Sequence, residues 1–171
     1  RSLSKNYWMN TMQFRIKYST QCIENDDKLA VLNALESSNL TQGKFVEQFE
    51  MKLSKYTQSK YCTVVSNASV ALKIAYESLG VGPGDAVWVS NNTFASTATA
   101  ALSCGATVVP LEISLDTFTV DLQNLHDNLK VASEKNAIPK VITVVDFGGL
   151  PSASVDLKKL SEIYGFKIVV D

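Results

Sequence analysis

Short runs of apolar, mostly β-branched residues recur from residue 62 onward, and a stretch with helical spacing separates each run from the next. The runs that predict strands are residues 62–65, 87–90, 107–111, 141–145 and 167–170. The stretches that predict helices are residues 24–35, 44–55, 69–79, 95–103, 122–131 and 155–164. Alternating strands and helices indicate an α/β protein with a mostly parallel sheet. The continuous run 141–145 also fits a strand that helices cover on both faces.

The composition is that of an ordinary globular protein, with 46% hydrophobic and 19% charged residues. The net charge of −1 makes no electrostatic case for binding to nucleic acid or to an acidic membrane. The cysteines show no CxxC or Cys/His spacing, so we expect no metal site and infer reduced thiols in a cytoplasm. No apolar run approaches the roughly 20 residues that a membrane helix needs.

The beginning of the chain differs from the rest. Residues 1–16 resemble neither a signal peptide nor a core element, and we expect a poorly structured tail there. The first residue is not methionine, so we expect the chain to be a fragment of a longer protein.

In a parallel α/β sheet the ligand crevice lies outside the carboxyl ends of the strands, and three segments there carry chemistry. Residues 66–69 open a helix whose free N–H groups and Ser69 hydroxyl could bind a phosphate, or they simply cap that helix. Phe94 could stack on a planar cofactor, or it packs in the core. Asp171, at the tip of a predicted central strand, could pair with a protonated ring nitrogen, or it merely ends the strand.

A set of stretches, taken in order, carries a more specific signal. They are residues 40–43, 45–50, 66–72, 79–85, 92–98, 105–106, 116–117, 146–151 and 164–171. This set resembles the pyridoxal-phosphate (PLP) sugar-nucleotide aminotransferases of the DegT/DnrJ/StrS group, over nearly all of this chain but less than half of a typical member. Within the group it looks most like the branch that aminates UDP-4-keto-6-deoxy-N-acetyl-L-altrosamine on the way to pseudaminic acid.

The resemblance implies the N-terminal part of the large domain of the PLP-dependent transferases of fold type I. Residues 17–42 would form an N-terminal helix and a substrate loop, and residues 43–171 an incomplete PLP-binding domain. Ala68 and Ser69 would hold the cofactor phosphate, Phe94 would stack on its ring, and Asp171 would keep the ring nitrogen protonated. The residues implied to line the sugar-nucleotide pocket are Tyr18, Ser38, Asn39, Leu40, Thr41 and Ala68.

The resemblance also implies what is missing. The lysine that forms the Schiff base follows the Asp171 position in the family, and no lysine of this chain matches it, so we expect the fragment to be inactive. The parent is expected to form a homodimer and to take its amino group from glutamate. Two alternatives stay open: a PLP-dependent sugar dehydratase on the same scaffold, and a non-catalytic module that binds a sugar nucleotide or a partner.

Overall fold

The computed structural model describes residues 19–41, 43–152 and 154–171. Its elements are α1 (Asn25–Leu35), α2 (Lys44–Thr57), α3 (Ala68–Ser78), β1 (Ala86–Ser90), α4 (Ala95–Ser103), β2 (Thr107–Leu111), α5 (Leu122–Glu134), β3 (Val141–Val144), a 3-10 turn (Phe147–Gly149), α6 (Val155–Tyr164) and β4 (Lys167–Val170). The helices lie where the sequence predicts them, with ends that differ by a few residues at most. The chain divides into two compact units, one ending at Val64 and one beginning at Val65.

The first unit contains α1 and α2. At the start of α1, the Glu24 backbone N–H donates to the Asp27 carboxylate at 2.8 Å, which satisfies one of the free donors of the helix end. In the described part of the chain, neither α1 nor α2 has a buried residue. The predicted division at residue 42 stays a prediction, and the predicted tail, residues 1–16, lies outside the described residues.

The predicted strand at residues 62–65 is wrong, because these residues belong to no sheet in the structure. A strand exists only where a neighbouring backbone completes its ladder of hydrogen bonds. Here the Val64 N–H donates instead to the Glu50 side-chain carboxylate at 2.9 Å. The β-branched composition of the run was therefore not enough to make it a strand.

The second unit is built on a four-stranded parallel sheet in the order β2-β1-β3-β4. This arrangement confirms the α/β prediction with a parallel sheet. Among the described residues β4 is the last strand in this order, and its predicted central position stays a prediction. Its only described partner is β3, through pairs that run from Val141↔Lys167 to Val144↔Val170.

Helices cover both faces of this sheet. On one face, side chains of α3 and α4, including Leu72, Tyr76 and Ala101, pack against Val87 and Val141. On the other face α5 and α6 pack against the side chains that alternate with these, including Trp88, Ile142 and Val144. Val169 of β4 packs on the α3–α4 face, and Asp171, two residues further along the chain, contacts Thr97 of α4 on the same face.

Candidate functional site

The carboxyl edge of the sheet is also where α3 and α4 begin. Helix α4 starts at Ala95, five residues after β1 ends at Ser90. Helix α3 ends at Ser78, shortly before β1 starts at Ala86, so its other end points toward the same carboxyl edge. The two helices also pack side by side. Their first turns and the strand tips therefore face one region.

Asp171 extends β4 by one residue at this edge. Its backbone N–H donates to the Val144 carbonyl at 2.9 Å, and its carbonyl accepts from the Asp146 N–H at 3.0 Å. The Thr97 hydroxyl donates to Asp171 Oδ2. Within the described residues, Oδ1 has no hydrogen-bond partner. The carboxylate is thus held from the backbone and from one oxygen, and it presents the other oxygen at an exposed position.

Phe94 is the residue before the first turn of α4, and its side chain is 77% exposed. Its carbonyl accepts from the Thr97 N–H at 3.1 Å, so Phe94 and Thr97 belong to one turn. The exposure excludes the interpretation that Phe94 packs in the core. The ring lies on the surface at the carboxyl edge, in the turn that contacts Asp171.

Helix α3 begins at Ala68, with Asn67 as its cap. Asn67 Oδ1 accepts from the Val70 N–H at 3.0 Å, which satisfies one donor of the first turn. In the described part of the chain, no hydrogen bond uses the N–H groups of Ala68 and Ser69. The predicted cap therefore exists, and two exposed donors remain beside it with the partial positive charge of the helix end.

The structure connects two of the three predicted segments through one residue, because Thr97 bonds both to the Phe94 carbonyl and to the Asp171 carboxylate. The third segment, at Ser69, is connected through its helix. Tyr76, two turns further along α3, donates its phenol proton to the Thr97 carbonyl at 3.0 Å. The phenol also lies 2.8 Å from the Thr143 hydroxyl of β3.

Tyr76, Thr97 and Thr143 are the residues that the sequence interpretation missed. All three are 0% exposed. Burial, the largest cause, raises the pKa of the Tyr76 phenol, and the negative charge of Asp171 adds to the rise, while the hydrogen bond with Thr143 opposes it. Thr143 offered a signal, because it is the one polar residue in the apolar run 141–145.

The predicted substrate loop lies in the first unit and is described by itself. The Ser37 hydroxyl donates to the Ala34 carbonyl at 2.7 Å, which ties the loop to the end of α1. Asn39 and Leu40 line a cleft of about 240 Å³, and Leu40 is 72% exposed. Ser38 and Asn39 line a second cleft of about 220 Å³. Tyr18 lies outside the described residues.

Other features of the described chain do not coincide with these segments. A cleft of about 410 Å³ lies between β2 and α5, lined by Trp88, Val109 and Val131 among others, and none of the predicted site residues lines it. Residues 19–41, 43–152 and 154–171 contain no cluster of three or more potential metal ligands. Over the same ranges, no helix has the length and apolar character to cross a membrane.

Residues 21–171 match the family model of the DegT/DnrJ/EryC1/StrS aminotransferases. The chain belongs to this family. It is 36% identical over 157 residues to the UDP-4-amino-4,6-dideoxy-N-acetyl-beta-L-altrosamine transaminase of Campylobacter jejuni, a match that covers 91% of this chain and 40% of that protein. The chain therefore spans about two fifths of the length of this relative.

Solved structures agree with the family assignment. Helicobacter pylori PseC, an aminotransferase involved in the biosynthesis of pseudaminic acid, superimposes with a TM-score of 0.82 at 28% identity, over 91% of this chain and 40% of that chain. Spr1654 of Streptococcus pneumoniae in its PLP form superimposes with a TM-score of 0.78 at 28% identity, over 91% of this chain and 42% of that chain. These matches confirm the predicted family and transferase fold, and they support PLP as the predicted cofactor.

Proposed function

We propose that the protein containing this chain is a PLP-dependent aminotransferase that moves an amino group from glutamate to a 4-keto-6-deoxy sugar nucleotide. One observation carries the proposal: Thr97 bonds to the Asp171 carboxylate, and the turn that contains Thr97 also contains the exposed Phe94 ring. The family match and the relatives that aminate sugars support the same conclusion. By extension of the family pattern, we further propose a cytoplasmic homodimer.

The described residues fit the cofactor chemically. Two free N–H groups at the start of α3, with the Ser69 hydroxyl, suit a phosphate, because small residues let an anion approach the helix end. The Phe94 ring offers a flat apolar surface for a pyridine ring. Asp171 Oδ1 offers a charged acceptor for a protonated ring nitrogen. The three features match the anionic, planar and basic parts of PLP.

Each residue then has a distinct task. The cofactor, when bound, accepts electrons from a carbon–hydrogen bond of the substrate as that bond breaks. Asp171 would hold a proton on the ring nitrogen by its negative charge, and Phe94 would restrict the ring to one plane. Ala68 and Ser69 would anchor the phosphate through backbone and hydroxyl donors. We propose that Tyr18 and the loop 38–41 of the first unit, and separately Ala68 of the second unit, take part in binding the sugar nucleotide.

The substrate assignment is narrower than the family. It rests on the identity to the Campylobacter transaminase and on the structural match to PseC. The Campylobacter protein is named for the 4-amino form of an altrosamine nucleotide, and PseC is described as an aminotransferase of pseudaminic acid biosynthesis. We therefore propose UDP-4-keto-6-deoxy-N-acetyl-L-altrosamine as the acceptor. The loop 38–41, with its exposed Leu40, is the described segment that we expect to distinguish one sugar nucleotide from another.

The test uses the full-length protein. PLP binding is measured by absorbance titration, and amino transfer is followed by mass spectrometry of the sugar nucleotide with 15N-labelled glutamate as donor. We expect stoichiometric PLP binding and transfer of the label to the sugar. Asp171→Asn, which keeps the size of the side chain but removes its charge, is expected to lower kcat by ~100-fold or more, since a charge-assisted contact to the ring nitrogen is lost.

Two results would contradict the proposal. Loss of the sugar oxygen without gain of label would indicate a dehydratase. Absence of PLP binding by the full-length protein would indicate a non-catalytic module. Leu115→Ala is the matched control, because Leu115 is exposed and belongs to none of the three site segments; we expect it to bind PLP and turn over as the wild type does.

A further inference from the structure

Thr97 occupies an unusual place for a polar side chain. It lies in the first turn of α4, is fully buried, and contacts a carboxylate from a strand 74 residues away. Its hydroxyl also lies 2.7 Å from the Thr93 hydroxyl. A buried hydroxyl costs free energy unless it is hydrogen-bonded, so the two partners account for its presence there.

The directions of these hydrogen bonds follow from the number of protons. An ionised carboxylate only accepts hydrogen bonds, so Thr97 donates its single hydroxyl proton to Asp171. In the pair with Thr93, Thr97 must then be the acceptor and Thr93 the donor. The chain of donors therefore runs from Thr93 through Thr97 to Asp171, and it ends on a negative charge.

A second chain of hydrogen-bond donors ends on the backbone of the same turn. The Tyr76 phenol donates to the Thr97 carbonyl, since a carbonyl only accepts. Thr143 must then donate to the phenol oxygen, across 2.8 Å. Burial raises the pKa of Tyr76, so the phenol keeps its proton at neutral pH and stays a donor. The backbone of Thr97 is thus fixed by β3 through α3, while its side chain points to Asp171.

We infer that Thr97 is a positioning residue: it fixes the Asp171 carboxylate in the orientation that contacts the nitrogen of the cofactor ring. This inference rests on the proposed function, because the contact between Asp171 and the ring nitrogen is part of that function. The same turn contains Phe94, whose carbonyl accepts from the Thr97 N–H. One turn of α4 therefore sets both the ring that stacks on the cofactor and the carboxylate that meets its nitrogen.

The test compares two ligands on the full-length apoprotein. One is PLP, and the other is 1-deazapyridoxal phosphate, in which a carbon replaces the ring nitrogen. Thr97→Val removes the hydroxyl and keeps the shape, and Thr97→Ser restores the hydroxyl. Ser90→Ala is the matched control, because Ser90 is also buried and its hydroxyl has no hydrogen-bond partner among the described residues, so it is no part of the contacts that hold Thr97 or Asp171.

We expect Thr97→Val to raise the Kd for PLP by ~10-fold, the scale of one weakened charge-assisted hydrogen bond. For the deaza ligand its Kd is expected to change by less than ~2-fold, because Asp171 then has no nitrogen to contact. Thr97→Ser and Ser90→Ala are expected to stay within ~3-fold of the wild type for both ligands. Circular dichroism verifies folding, and Thr97→Ala replaces Thr97→Val if the latter does not fold.

Equal losses for both ligands would overturn the inference, since they would show that Thr97 only supports the fold. An unchanged Kd for PLP would overturn it as well. If the wild type binds neither ligand, the proposed function fails, and the contact assigned to Asp171 fails with it. If the wild type binds PLP, crystal structures of wild type and Thr97→Val test the orientation of Asp171 directly. An Asp171 carboxylate that turns away in the variant supports the positioning role, and one that keeps its orientation refutes it.

Discussion

Replacing Tyr76 by Phe tests how the buried hydrogen bonds stabilise the second unit. The Tyr76 phenol bonds to the Thr97 carbonyl at 3.0 Å and to the Thr143 hydroxyl at 2.8 Å. Each hydrogen bond contributes about 1 kcal/mol net, and the fully buried Thr143 hydroxyl would lose its acceptor. We therefore expect Tyr76→Phe to lower the free energy of unfolding by about 2–3 kcal/mol.

The companion variants separate these contributions. Thr143→Val removes the donor to the phenol but leaves the bond from Tyr76 to Thr97, so we expect a loss of about 1 kcal/mol. The double variant leaves no hydroxyl unsatisfied between them, and its loss should be smaller than the sum of the single losses by about 1 kcal/mol. Urea denaturation of the four proteins, followed by circular dichroism, measures each value. Strictly additive losses would refute the coupling.

The same variant predicts a pH dependence. The unfolded phenol titrates near its ordinary pKa of 10.0, and burial raises the pKa in the folded protein. The stability that comes from keeping the phenol neutral is therefore fully present below pH 10.0 and is lost as the pH rises toward the folded pKa. Tyr76→Phe lacks this group. The stability difference between wild type and Tyr76→Phe should accordingly shrink above pH 10.0, and a constant difference would contradict the reasoning.

Other substitutions test single features of the fold by urea denaturation. Asn67→Ala removes the cap that bonds to the Val70 N–H, and we expect a loss of about 1 kcal/mol; a loss near zero would show that the cap is dispensable. Leu129→Ala, at a residue with 0% exposure, is expected to cost about 2–5 kcal/mol, whereas Leu115→Ala, at 80% exposure, should cost less than about 0.5 kcal/mol. Gly105→Ala should cost about 1–3 kcal/mol, because its φ is +85° and a Cβ would meet a proline ring carbon at 2.9 Å.

Local patterns predicted the elements well and the contacts between them poorly. Helix α4 and strand β2 lie at the predicted residues, 95–103 and 107–111, because helical spacing and β-branched runs are local properties. The run 62–65 has the same composition as a strand, but pairing depends on a neighbouring backbone that composition does not reveal. The bond from Thr97 to Asp171 joins residues 74 positions apart, and no local pattern predicts such a contact.

This separation has a consequence for how the site forms. Tyr76 meets Thr143 across 67 positions, and Thr97 meets Asp171 across 74, so the first contact requires α3 to pack against β3 and the second requires α4 to pack beside the end of β4. The loop at residues 38–41 differs, because the Asn39 carbonyl accepts a hydrogen bond from the Ser37 hydroxyl at 3.0 Å, across only two positions. The segments that would hold the cofactor therefore depend on the long-range fold of the second unit, while the proposed substrate loop depends on local structure. We therefore expect substitutions in the loop to change substrate choice while leaving PLP binding within ~3-fold of the wild type, and activity measurements with several sugar nucleotides test this expectation.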